Sequence, residues 1–66
     1  MSKKVINRIK VVLTEKNLSS KWLAEQLNKN EATVSRWCTN DVQPPIKTFV
    51  QISELLEVKL TNLFND

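Results

Sequence analysis

Between Leu18 and Asn40 the chain reads LSSKWLAEQLNKNEATVSRWCTN, and its reactive side chains are of one kind. They donate and accept hydrogen bonds; they do not break covalent bonds. Arg36 carries a planar guanidinium that can give two parallel hydrogen bonds to neighbouring acceptors. Glu31 accepts, Ser35 and Thr33 bring hydroxyls, and the serines, asparagines and Lys21 around them add further polar groups. Catalysis has little to work with. There is no His, and Cys38 is the one cysteine, so a zinc cage, a disulfide framework and His-based proton transfer are not expected. No Gly-rich phosphate loop and no carboxylate pair at useful spacing occurs either. Neither a cofactor nor a metal nor an enzymatic activity is expected, and the chemistry left is recognition.

These side chains need rigid elements under them. Sixty-six residues make a single domain, 1–66, with an apolar fraction of 41%, enough for one small core. There is no Gly, the two Pro are adjacent at 44 and 45, and no hairpin dipeptide appears, so the chain reads as all-α with short connections. The first helix is expected from about Lys3 to Lys16, with Val5, Ile6, Ile9, Val12 and Leu13 on one stripe and Asn17 as its stop. The second follows Ser19 as N-cap. It turns Leu23, Ala24 and Leu27 inward and Trp22, Glu25 and Lys21 outward. The third starts after Asn30 and runs to about Cys38. Val34 and Trp37 face the core with Thr33 flanking them. Ala32, Ser35, Arg36 and Thr39 fall on the opposite face at about 100° per residue. A Pro-containing loop, TNDVQPP, precedes a fourth helix at about Ile46–Leu56 with Phe49, Ile52 and Leu56 inward. A short fifth helix is expected at about Leu60–Phe64.

Two helices this short are marginal alone, so each must brace the other. Ala24 is small enough to let their backbones cross closely. The polar face of the third helix then projects as a ridge one helix wide, which suits a DNA major groove about 12 Å across. The charge agrees. Residues 1–47 hold nine Lys/Arg against four Asp/Glu, a net +5, while residues 48–66 hold one Lys against three acids, a net −2.

The run S-S-K-W-L-A-E-Q-L-N-K-N-E-A-T-V-S-R-W, followed by QPP and IKTFVQISELLEV, resembles the Cro/repressor-type (XRE-type) helix-turn-helix family over about residues 5–64. The combination of L-A-x-x-L, V-S-x-W and P-x-x-x-T is specific; no single piece is. The resemblance implies a lambda-repressor-like, five-helix DNA-binding domain with its helix-turn-helix at about 20–38. It implies base-reading by Glu31, Ala32, Thr33, Ser35 and Arg36, with Arg36 the leading residue for a guanine. It implies phosphate contacts from Ser19, Ser20 and Lys21, with Asn30, Thr39, Asn40 and Lys47 as further candidates. Three positions depart from the family pattern. Asn28 stands where the motif turn often has Gly. Cys38, Thr39 and Asn40 follow the Trp where Glu-x-Gly is frequent. Glu57 replaces a Gly at the end of the fourth helix, which suggests a different type of cap there.

The reading that follows is a cytoplasmic transcriptional regulator of bacterial or phage type. It would be a repressor that occupies a palindromic operator as a homodimer, with Leu55, Val58, Leu60 and Phe64 as the dimer surface. The N-terminal MSKKVINRIK lacks a signal-peptide core, and no run approaches the roughly 18 apolar residues of a membrane span. Two rivals stand beside it. One is an antitoxin or restriction-system controller of the same fold, with a protein partner. The other is a helical protein-interaction module that uses Trp22 and Val11 and does not bind DNA. Cys38 reads as a small half-buried filler, Trp22 as partly packed, and Lys3, Lys4 and Arg8 as a solvated face.

Overall fold

Four α-helices follow one another in the computed structural model, which describes residues 5–64. They are α1 (Ile9–Glu15), α2 (Ser20–Leu27), α3 (Glu31–Cys38) and α4 (Ile46–Leu56). The expected fifth helix is a 3₁₀ turn of four residues, Leu60–Leu63. None of the helices is long and apolar enough to cross a membrane.

α2 and α3 begin where the sequence offers a side-chain partner for a free N–H group. Ser19 accepts from the Trp22 N–H at 3.0 Å and opens α2, and Asn30 accepts from the Ala32 N–H at 2.7 Å and opens α3. Pro45 precedes α4, its fixed φ of −60° leading into the first turn.

The start of α1 differs from expectation. The helix begins at Ile9, and Val5 and Ile6 lie outside it and exposed, although both fit its apolar stripe. Lys3 and Lys4 lie outside the described residues. Asn7 is the physical reason. Its side-chain oxygen accepts from the Ile9 N–H at 3.1 Å, a local bend that competes with helix. Its backbone pairs with Phe64 in an isolated antiparallel bridge, and the Arg8 N–H donates to the Leu63 carbonyl at 2.8 Å. Residues before α1 are thus tied to the end of the described chain.

All four helices end the same way. Asn17, Asn28, Asn40 and Glu57 have φ of 59°, 56°, 63° and 56°, in the left-handed region. After α3, the Asn40 N–H donates to Trp37 O at 3.1 Å and the Asp41 N–H to Arg36 O at 2.9 Å, the paired bonds of a Schellman cap. The same pair recurs after α1 (Asn17 and Leu18), α2 (Asn28 and Lys29) and α4 (Glu57 and Val58). The different cap expected at Glu57 is therefore not found. A chain without glycine makes four left-handed caps from three asparagines and one glutamate. Asparagine tolerates that conformation; glutamate takes it at a cost.

The core joins Ile9, Val12 and Leu13 of α1 to Leu23 and Ala24 of α2, Val34 and Trp37 of α3, Phe49, Ile52 and Leu56 of α4, and Leu63. Phe64 closes it, its ring centroid 4.6 Å from that of Phe49. Two expectations shift at the edges. Leu27 is half-buried, not fully inside, and Thr33 is exposed, not beside the core. Trp22, on the outer side of α2, is half-buried against the core, as its partial packing was expected to be.

Candidate nucleic-acid interface

α3 is two turns long, and burial of Val34 and Trp37 fixes which way it faces. α2 supplies the wall, with Leu23 fully buried and Ala24 at 3% exposure. A residue larger than alanine at 24 would hold the two helices apart. With that seam fixed, Glu31, Ala32, Thr33, Ser35 and Arg36 all stand exposed. They form a polar ridge that runs from the helix tip to its last turn. Glu31 sits in the first turn of α3, where a carboxylate complements the positive end of the helix dipole, and Arg36 lies in the last turn, at the negative end.

α2 contrasts with α3 at its N-terminus. Its first turn holds no acid, so the positive end of its dipole is not neutralised locally, and Lys21 stands exposed beside it. Ser19 uses its oxygen as the helix cap, which leaves the hydroxyl hydrogen to donate elsewhere. Ser19, Ser20, Ser35 and Thr39 line one cleft of about 170 Å³ between α1, α2 and α3. Lys10 lines it too. Sequence reasoning missed Lys10: it is one more lysine off the apolar stripe of α1, and only the packing of α1 against α3 brings it to this cleft. Cys38 also lines the cleft, and burial raises its thiol pKa, with the charge of Lys10 pulling the other way.

The remaining candidates are dispersed. Asn30 caps α3 and is exposed, and Lys47 is exposed on the first turn of α4. The Thr39 hydroxyl lies 2.9 Å from a carboxylate oxygen of Asp41 and 3.2 Å from Arg36 O, within the cap of α3.

Asn40 departs from the role expected for it. Its side chain points into the protein. Its oxygen accepts from the Ile6 and Asn7 N–H groups, each at 2.9 Å, and from Gln43 Nε2 at 3.2 Å. Its amide nitrogen donates to Asn7 O at 3.3 Å. The partner, Asn7, is a buried polar residue with no local signal to single it out.

Comparison with known proteins agrees with this geometry. A family model described as helix-turn-helix matches residues 9–63. A solved structure described as "a putative DNA-binding protein from Bacteroides fragilis" is 52% identical, superposes with a TM-score of 0.89, and is covered over 97% of its chain by 91% of this one. No curated protein matches.

Proposed function

The chain belongs to the helix-turn-helix family of the Cro/C1 (XRE-like) type, and from that premise we propose that it is a sequence-specific DNA-binding transcriptional regulator, a repressor of promoters. One observation carries the proposal: the exposed ridge of Glu31, Ala32, Thr33, Ser35 and Arg36, held by the buried seam of Leu23, Ala24, Val34 and Trp37. A ridge on one α-helix enters the major groove. Arg36 gives two parallel hydrogen bonds to the O6 and N7 of guanine. The methyl of Ala32 meets a thymine methyl, and Glu31 accepts from a cytosine amino group. Ser35 and Thr33 donate or accept as the sequence requires. The similar protein from Bacteroides fragilis supports DNA as the ligand, as its description says of it.

Phosphates take the flanks. Ser19, Ser20, Lys21 and the open N-terminus of α2 hold one strand, and Asn30, Thr39 and Lys47 add contacts that position the protein without reading sequence. An operator read this way is a palindrome bound by two copies, half-sites one helical turn apart. The copies meet on the outer side of α4 and the chain end. Of the four residues expected there, Leu55 stands exposed at 36%, while Val58, Leu60 and Phe64 are half-buried against the core. Ile46 and Val50, also exposed on α4, extend that face. Trp22, which a DNA-independent interaction module would use, is half-buried against the core.

Salt titration of duplex binding tests the proposal. Lys21 and Lys47 in each of two copies neutralise about four phosphates, so the slope of log affinity against log salt should be about −3 to −4. A flat dependence, or no binding at low salt, sinks it.

A further inference from the structure

We propose that Asn7, Asn40 and Gln43 form an amide ring that sets the pitch of α3, and that they are positioning residues for base discrimination without touching DNA. The inference rests on the DNA-binding reading and adds to it the residues that make the reading selective.

The ring is closed. Asn7 Nδ2 donates to Gln43 Oε1 at 2.7 Å, and Gln43 Nε2 donates to Asn40 Oδ1 at 3.2 Å. Asn40 Oδ1 accepts from the Asn7 N–H at 2.9 Å, which completes it. Asn7 Nδ2 gives its other hydrogen to the Trp37 carbonyl at 2.9 Å, inside the last turn of α3. Asn7 is only 2% exposed, and each polar atom of its side chain has a partner. Asn40 and Gln43 are half-buried around it, so displacing either strands a donor or acceptor of the buried Asn7, which favours the one geometry that pairs them.

Its place in the fold decides what it does. α3 has only eight residues. Its apolar side rests on α2, through a seam of non-directional packing that resists separation better than rotation. Its C-terminal end continues into the loop before Pro44. The ring ties that end, through Trp37 O and the capping residue Asn40, to the segment before α1, 30 and 33 residues away in sequence. Ser35 and Arg36 lie one turn from it. Phosphate contacts by flexible lysines tolerate a small tilt of α3. Two parallel hydrogen bonds from Arg36 to one base edge do not. Loss of the ring should therefore lower discrimination and leave non-specific affinity in place.

Asn40→Gly is the clean perturbation. Glycine keeps the left-handed cap and removes every side-chain bond of Asn40. Gln43→Met is the second variant; it keeps the length of the side chain and breaks the ring without touching the cap. Both are compared with the wild-type protein on the duplex recovered by selection from a random pool and on a scrambled duplex, across a salt series, with circular dichroism reporting that each is folded. The expected result is a fall of about tenfold in the ratio of specific to non-specific affinity, the loss of one well-formed base contact, with the salt slope unchanged. A ratio within twofold of wild type in both variants overturns the inference. So does an equal loss of affinity on both duplexes in Asn40→Gly, which would make Asn40 a phosphate contact that reads no sequence. If the wild-type protein itself does not discriminate, the DNA-reading proposal fails, and that result is separate from a wild type that discriminates and variants that match it.

Discussion

Replacing Glu57 by glycine should raise the stability of this protein. Glu57 holds φ 56° and ψ 45° at the C-terminal cap of α4, and its side chain is exposed. An L-residue pays about 1–2 kcal/mol in that conformation, and glycine pays almost none. Glycine also gains freedom in the unfolded chain, which returns roughly 0.4–1 kcal/mol of the benefit. The carboxylate sits at the negative end of the α4 dipole, and its removal adds about 0.3 kcal/mol. The net gain is about 1 kcal/mol. For a domain of this size that is about 4–8 °C in Tm. Thermal unfolding followed by circular dichroism at several scan rates measures it. Two companions separate the contributions. Glu57→Ala removes the charge but keeps the strained backbone, and should gain no more than the dipole contribution. Asn28→Gly relieves a residue that already tolerates the left-handed region, and should change Tm by about 1–2 °C at most. If Glu57→Gly leaves Tm unchanged or lowers it, or if Glu57→Ala does as well as glycine, the argument from backbone strain is refuted.

Other consequences can be checked with the same protein. Arg36→Ala should relax the sequence preference at one position of each half-site, at a cost of about 1–3 kcal/mol for the preferred base, read by competition with single-base operator variants. Lys21→Ala should weaken all duplexes alike and make the salt slope shallower by about one for each copy bound. Ala24→Leu should push α2 and α3 apart and destabilise the fold by about 1–3 kcal/mol, seen as a lower melting temperature. Burial raises the pKa of Cys38, so less of its thiol is ionised at a given pH. Alkylation by iodoacetamide at pH 8 should accordingly run several-fold slower than for a free cysteine, and match it once the protein is unfolded; equal rates in the folded state would contradict the burial.

The helices that carry the ridge were legible because their signals are local. Ser19 and Asn30 cap the helices that follow them, Pro44 and Pro45 place the start of α4, and the spacing of Leu23, Ala24, Val34 and Trp37 fixes the seam. The exposure of Ala32, Ser35 and Arg36 follows from the same periodicity. What escaped was tertiary. Val5 and Ile6 continue the apolar stripe of α1, yet Asn7 ends the helix before them because its amide has partners in Trp37 and Gln43, distant in sequence. Lys10 reaches the cleft at the start of α2 only through helix packing. Glu57 shows a different limit. Nothing in its type announces a left-handed cap; the position demands one, and the residue complies.

The central claim is that the exposed face of α3 reads base sequence, and selection of bound duplexes from a random pool tests it most directly. Purified protein should enrich a palindrome whose half-sites lie about 10 base pairs apart, and Arg36→Ala should lose the preference at one position in each half. A pool no richer in any sequence than the input, at low salt and with folded protein, would contradict the account.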